Sequence, residues 1–304
     1  MSKLIALAAV LLAAPARADD DAAFRRRFYS ECVAALGQLD STQEHLAFVI
    51  KNKIDLQIST STLKIPANAT GLYRDADRKM YINEDVLLKG RKELYYRAVD
   101  DAEVPKILAW KLLPTLGHEI RHAITHEKIR RQLGFSFDIS SLEDEMISFV
   151  DTVRVLQEAI NKNPDYWLGR MSLQIDASDS ALLGAWKQNP AALKQLVEPL
   201  YPKSPSVLDL DQKQFLDFLD KMLVGLRSTR AEVLKVKKEI AELKDPAERA
   251  STQRYFDDSE QDEVSRTNLE RVERLRKVMS DPANYAKIRK FFKAQIQALV
   301  RKTQ

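Results

Sequence analysis

The chain has 304 residues, of which 45% are hydrophobic and 30% are charged, so it is long enough to bury one large core or two modest ones. Its formal charge of +4 is small for this length and gives no electrostatic case for binding nucleic acid or an anionic membrane. Eight glycines and 11 prolines are too few for a turn-rich all-β fold or a low-complexity protein.

The first 18 residues have the pattern of a cleaved secretory signal. Lys3 gives a basic start, residues 4–14 form an apolar run, and a small-x-small sequence ends at Ala18. The run is too short to span a bilayer, and no later apolar stretch is long enough. Cleavage near Ala18 would remove two basic residues and lower the formal charge from +4 to +2. We therefore expect a soluble, secreted or periplasmic protein with no integral membrane segment.

Cys32 is the only cysteine in the chain. An exported protein with one cysteine cannot form an internal disulfide, so its stability must come from its core. Cys32 also lies well beyond the expected cleavage point, which argues against lipid attachment. We expect it to be a buried or idle thiol.

The first part of the mature chain is predicted to contain two helices and then a small sheet. The helices cover residues 22–36 and 41–52, and in the second Ser41 and Glu44 have the spacing of a capping box. Apolar and polar residues then alternate with the period of a strand, and polar turn residues separate the segments. The predicted strands are residues 54–58, 72–73 and 80–82.

Helical periodicity dominates the rest of the chain. One helix has Pro105 in its first turn and should end near Gly134, which follows two basic residues. Pro114 lacks an N–H donor, so it must kink this helix or begin a new one. We expect the last helices to form a bundle with solvated outer faces rather than a coiled-coil surface for a partner. Further helices are predicted over residues 142–161, 211–243, 261–279 and 283–302.

The histidines are concentrated in one of these helices. Only four occur in the chain, and His118, His122 and His126 fall within nine residues. The pattern His118-Glu119-x-x-His122 places two imidazoles one turn apart on one helix face, where both can bind the same Zn²⁺ ion. Glu119 emerges beside that ion, so it can act as general base toward a zinc-bound water. A chance pattern on a surface helix is disfavoured, because flanking apolar residues indicate a partly buried helix.

A catalytic zinc ion needs a third protein ligand and an open position for water. The next helix begins with Glu143, Asp144 and Glu145, and its predicted core face consists of Leu142, Met146, Phe149, Val153, Leu156 and Ile160. Glu145 lies about 70° from the centre of that face, Glu143 about 90°, and Asp144 nearly opposite. We expect Glu145 to be the ligand, with Glu143 second; an acidic first turn accounts for Glu143 and Asp144. If neither glutamate binds, His126 or Asp138 is the alternative.

His118-Glu119-x-x-His122, with Glu145 following 23 residues later, resembles the gluzincin branch of the zincin metallopeptidases. The resemblance implies that His118, His122 and Glu145 bind Zn²⁺ and that Glu119 is the general base. It also implies a small sheet before the active-site helix, with an edge strand that pairs with an extended substrate. The segments at residues 71–73 and 80–82 have the right order along the chain to supply it.

The resemblance leaves the group that stabilises the oxyanion open. Tyr166 and His126 are candidates, although we expect Tyr166 to be a solvated loop residue and His126 to lie on the surface. The predicted fold is α+β and predominantly helical, with a zincin-like catalytic region over residues 19–165 and a C-terminal helical region over residues 166–304. Its small sheet lies beside the active-site helix.

The predicted function is zinc-dependent hydrolysis of peptide bonds, and the predicted partner is a peptide or protein substrate. Two alternatives stay open. One is an exported helical binding or scaffold protein whose zinc site is structural or vestigial. The other is an amidase that uses the same motif on a different amide.

Overall fold

The computed structural model describes residues 19–59, 69–74, 78–137, 139–168, 184, 190–258 and 260–301. The predicted signal segment and Asp138 lie outside the described residues. The fold is α+β and predominantly helical, with one small three-stranded sheet in the described part of the chain. Among those residues, no helix combines the length and the apolar character needed to cross a membrane.

The elements follow one another in this order. The first are α1 (Asp19–Gln38), α2 (Gln43–Asn52), β1 (Asp55–Ser59), β2 (Gly71–Arg74), β3 (Lys79–Asn83), α3 (Glu84–Tyr96), α4 (Val104–Leu133), α5 (Leu142–Lys162) and α6 (Pro164–Leu168). The later ones are α7 (Pro190–Val197), α8 (Gln212–Glu242), α9 (Pro246–Asp258), α10 (Gln261–Met279) and α11 (Pro282–Arg301). Short 3₁₀ turns cover Asp40–Thr42 and Glu198–Leu200. The three predicted strands are confirmed, and α9 is a helix that the sequence patterns did not indicate.

The sheet places one strand edge against the histidine-bearing helix. β3 is its central strand; it pairs in parallel with β1 and antiparallel with β2. β2 packs on α4, and a side chain at Gly71 would put its Cβ 2.7 Å from Thr115 Cγ2 and 3.1 Å from Glu119 Cγ. Glycine at position 71 therefore lets the strand approach the helix closely.

Helix α4 runs through the whole histidine motif without interruption. It has Pro105 near its start, as predicted, and it ends at Gly134, whose φ of 79° is left-handed and whose N–H donates to Arg130 O at 3.1 Å. Pro114 lies inside the helix rather than at the beginning of a new one, so that alternative is wrong. Pro114 is buried within the apolar side of α4, where packing offsets the missing backbone hydrogen bond.

The predicted capping box at Ser41 is wrong. Residues 40–42 form a 3₁₀ turn, and Thr42, the N-cap of α2, makes no side-chain capping bond. The Thr42 hydroxyl instead donates to Leu39 O at 3.1 Å. Glu44 lies 3.0 Å from Arg121 Nη2 and 2.9 Å from Lys128 Nζ, so these two cations of α4 bind the carboxylate that the capping box required.

Two large apolar clusters hold these layers together. The first surrounds α4 and combines side chains of α1, the sheet, α3, α5 and α6; Phe28, Ile82 and Trp110 are among its most buried members. The second joins Ile129 of α4 and Ile147 of α5 to side chains of α8, α10 and α11. The ends of α4 and α5 therefore share a core with the C-terminal helices, and the boundary at residue 165 stays a prediction.

Candidate metal centre

The middle of α4 brings the histidine motif into the interior of the protein. His118 and Glu119 are buried, and the side chain of His122 is 12% exposed. Apolar residues on both sides of the motif, including Leu116 and Ile124, belong to the first core cluster. This helix is rigidly packed, so its imidazoles have a fixed position relative to α5, which packs along it.

Three possible ligand atoms converge at this point, from His118, His122 and Glu145. His118 Nε2 lies 3.0 Å from His122 Nε2, and Glu145 Oε2 lies 3.4 Å from the first and 3.5 Å from the second. Ligand atoms of a tetrahedral Zn²⁺ ion with bonds of 2.0–2.1 Å are separated by about 3.3 Å. Glu145 Oε2 is buried and accepts no well-aligned hydrogen bond from the described residues. Two imidazoles and one carboxylate are also the ligand set of several catalytic zinc sites.

Both imidazoles are held through their other ring nitrogen. Thr152 Oγ1 donates to Ser148 O, so at 3.1 Å it accepts a hydrogen bond from His118 Nδ1–H. The carboxylate oxygen Asp144 Oδ2 accepts from His122 Nδ1–H at 2.7 Å. Protonation at Nδ1 leaves the Nε2 lone pair of each ring directed at the other ligand atoms. In its neutral form each ring therefore has the tautomer that metal binding through Nε2 requires.

The prediction that Asp144 points away from the core is wrong. Its side chain is 1% exposed, and it contacts His122 and also His126, whose Nε2 lies 3.2 Å from Asp144 Oδ2. Burial acts to raise the pKa of Asp144, but these two histidines outweigh it and hold the value at about 2. The same carboxylates, Asp144 and Glu145, raise the pKa of His122 well above its usual value despite its burial.

The three consecutive acids at the start of α5 have three different partners. Glu143 accepts hydrogen bonds from Ser206 Oγ at 2.7 Å and from the backbone N–H groups of residues 207 and 208 at 2.9 and 3.0 Å. Asp144 binds the histidines, and Glu145 faces the two Nε2 atoms and accepts a hydrogen bond from Ser140. Glu145, and not Glu143, faces the two Nε2 atoms, and its role as a metal ligand stays a prediction. Successive helical residues point about 100° apart, so these three side chains leave the helix in three directions. Each finds a buried partner because protein surrounds this end of α5 on all sides.

Glu119 is fixed by the edge strand of the sheet. Its Oε2 accepts a hydrogen bond from the backbone N–H of Tyr73 in β2 at 2.7 Å. This contact is possible because Gly71 allows the strand to lie close to α4. The outer edge of β2 and the Glu119 carboxylate therefore border the same space.

Tyr201 is a further side chain at this site that sequence reasoning missed. It follows the 3₁₀ turn before α8, and its ring packs on Phe149, whose own ring lies 4.7 Å from that of His118. Partial burial raises the pKa of the Tyr201 hydroxyl, and the Glu145 and Glu119 carboxylates raise it further. The Tyr201 hydroxyl therefore lies near enough to both carboxylates for their charges to act on it, and it stays protonated at neutral pH. Tyr201 lies far from the histidine motif in the sequence, so no local sequence pattern linked it to the site.

The two residues considered earlier for oxyanion stabilisation occupy other positions. Tyr166 is buried rather than solvated and packs on Trp110, with ring centroids 6.4 Å apart. His126 is also buried rather than exposed, and it contacts Asp144 instead of the three converging atoms. Cys32 is 1% exposed and free, as expected, and burial raises the pKa of its thiol.

A second polar network supports the far side of α4. Asp151 of α5 is paired with Arg121, and its Oδ2 lies 3.0 Å from the fully buried His45 of α2. Arg121 also reaches Glu44, so the network joins three helices. Arg121 lies between the two motif histidines in the sequence and Asp151 precedes Thr152, so this network joins α4 to α5 close to the candidate metal centre without contacting the three converging atoms.

The chain matches no protein-family model, no curated protein sequence and no solved structure. Its resemblance to gluzincins therefore rests on the sequence pattern His118-Glu119-x-x-His122 with Glu145.

Proposed function

We propose that this protein is a zinc-dependent peptidase whose metal ligands are His118, His122 and Glu145 and whose general base is Glu119. The convergence of three ligand atoms at separations of 3.0–3.5 Å carries this proposal. Three protein ligands leave a fourth position for water or substrate, as in catalytic rather than structural zinc sites.

The chemistry is divided between the ion and the side chains. Bound Zn²⁺ supplies Lewis acidity, which lowers the pKa of water and polarises the scissile carbonyl. Glu119, held by the Tyr73 N–H, accepts a proton from the attacking water and passes it to the leaving amine. The protonated Tyr201 hydroxyl donates a hydrogen bond to the oxygen that becomes negative in the tetrahedral intermediate.

The sheet supports a peptide as the substrate. β2 pairs with β3 on one side, and the Tyr73 N–H points from its other side toward Glu119. An extended peptide could add to this outer edge through backbone hydrogen bonds, which would bring its scissile bond past Glu119. This arrangement favours a peptide over a small amide, which has no extended backbone to pair.

The substitution Glu119→Gln tests the proposal. The variant should bind Zn²⁺ as the wild type does, because Glu119 is not a ligand, and it should lose hydrolysis of a mixed peptide library by about 10²–10⁴-fold. Glu103→Gln, at the exposed start of α4, is the matched control and should keep full activity. Full activity of Glu119→Gln would contradict the mechanism. A wild-type chain that binds Zn²⁺ tightly but hydrolyses no amide would indicate a structural site.

We also propose that the protein is exported after cleavage near Ala18, on the basic, apolar and small-residue pattern of residues 1–18. N-terminal sequencing of exported protein should then begin at Asp19. Soluble cytoplasmic protein that retains Met1 would contradict this localisation.

A further inference from the structure

A cavity of about 310 Å³ lies beside the candidate metal centre, between residues 139–140 before α5, residues 203–205, α8 and α10. Its apolar surface includes side chains from three segments: the residues before α5, helix α8 and helix α10. These are Ile139, Phe218, Met222, Leu226 and Val272, of which all but Met222 belong to the second core cluster or pack against it.

The cavity shares two walls with the metal centre. Ser140 lines the cavity, and its hydroxyl donates to Glu145 Oε1. Lys203 and Ser204 also line it, and they follow Tyr201 two and three residues later in the same loop. Ser140 Oγ lies 3.4 Å from Ser204 Oγ, so the two walls meet. A molecule in the cavity would touch both the residue that binds Glu145 and the loop that carries Tyr201.

The chemistry of the lining defines what fits. Lys203, which is exposed, and Arg271 bring positive charge to a lining that is otherwise apolar except for Ser140, Ser204 and Asn268, and none of the described lining residues is acidic. An apolar chain with one anionic end satisfies both features. At about 30 Å³ for a water-sized group, a volume of about 310 Å³ holds about ten such groups, equivalent to a chain of eight to ten carbons.

We propose that this cavity binds an aliphatic chain that ends in a carboxylate, with the carboxylate beside Lys203. Two sources have this chemistry: a free medium-chain fatty acid, and the C-terminal residues of a peptide with a large apolar side chain. The apolar chain removes water from the cavity surface, and the carboxylate gains a partner at its rim. The inference does not require hydrolysis, although a bound peptide terminus would identify a product or substrate of the proposed peptidase.

Calorimetric titration of the full chain with decanoate tests the proposal, in a Glu119→Gln background so that peptides are not hydrolysed. We expect one saturable site and an affinity that rises by up to about fourfold for each CH₂ from hexanoate to decanoate. Lys203→Glu should weaken binding at least tenfold. Lys221→Glu, an equal charge change at an exposed position of α8 outside the cavity, should leave it unchanged.

Two further ligands identify the source and the role of the charge. A tripeptide that ends in leucine with a free carboxylate should bind more tightly than decanoate if peptides are the natural ligands, and less tightly if fatty acids are. Decanol should bind at least tenfold more weakly than decanoate. The proposal is overturned if neither acid binds below about 1 mM, if decanol equals decanoate, or if Lys203→Glu has no effect. Because catalysis is absent from this assay, such a failure leaves the proposed peptidase activity untouched.

Discussion

Asp144→Asn should weaken zinc binding although Asp144 is not expected to touch the metal. His122 Nδ1–H donates to Asp144 Oδ2 at 2.7 Å, and this bond keeps the proton on Nδ1 and the lone pair on Nε2. Asparagine has nearly the same shape but no charge, so the ring is held less firmly and its Nε2 is less basic. The aspartate is 1% exposed, so water cannot replace the lost interaction.

The magnitude follows from the position of Asp144 behind a metal ligand. Losing such an outer partner costs about 10–100-fold in metal affinity, which corresponds to about 1.4–2.8 kcal/mol. Asp144→Ala should cost more, because it also leaves the buried Nδ1–H without an acceptor, a penalty of about 1–3 kcal/mol.

Competitive titration with a zinc chelator of known affinity measures the effect, with thermal unfolding recorded alongside. Asp151→Asn is the matched control, since Asp151 lies on the same helix and is equally buried but contacts Arg121 and His45 instead of a proposed ligand. An unchanged zinc affinity in Asp144→Asn would refute the reasoning. So would an equal loss in Asp151→Asn, because it would trace the effect to general loosening of α5.

Three other predictions concern the candidate metal centre and the neighbouring network of Asp151. Glu145→Ala should weaken zinc binding by orders of magnitude. Glu143→Ala should leave zinc affinity within about tenfold and lower the free energy of unfolding by about 1–3 kcal/mol. Chelator titration and urea unfolding measure the two effects, and a larger loss of zinc affinity in Glu143→Ala would assign the ligand to Glu143. Tyr201→Phe should lower kcat about 10²–10³-fold with zinc affinity unchanged, as measured by steady-state kinetics; an unchanged kcat would remove Tyr201 from the mechanism. Burial acts to raise the pKa of Asp151, but its partners hold it at about 2 against an ordinary 3.8, so the stability that it contributes is complete above about pH 4 and is lost as the pH falls to about 2. Urea unfolding between pH 5 and 2 should show about 2 kcal/mol of this loss in the wild type and not in Asp151→Asn; equal slopes would contradict the assignment.

The part of the fold that sequence patterns predicted is the part with a local cause. The strands have a two-residue alternation, α4 ends at a glycine in the left-handed region, and α10 has the predicted bounds Gln261–Met279. In α4 the i, i+4 spacing alone brings His118 and His122 together. These features depend on residues a few positions apart, so they can be predicted from one amino-acid sequence.

The features that sequence patterns missed depend on tertiary contacts. Asp144 was expected to face solvent because one apolar stripe was taken to define a single buried face of α5. In the structure the start of α5 lies between α4 and the segment around residue 206, so every direction from it is buried. Glu44 likewise binds cations of α4 instead of capping its own helix. Tyr201 reaches the site through a loop whose path depends on the three hydrogen bonds to Glu143.

The most direct test of the proposed metal centre is the zinc content and zinc affinity of the full chain, purified without chelators. The wild type should contain one zinc ion per chain by elemental analysis, and a His118→Ala/His122→Ala double variant should contain none while remaining folded by circular dichroism. Either a wild-type chain that binds no zinc at micromolar concentrations or a double variant that retains its zinc would contradict the proposed centre.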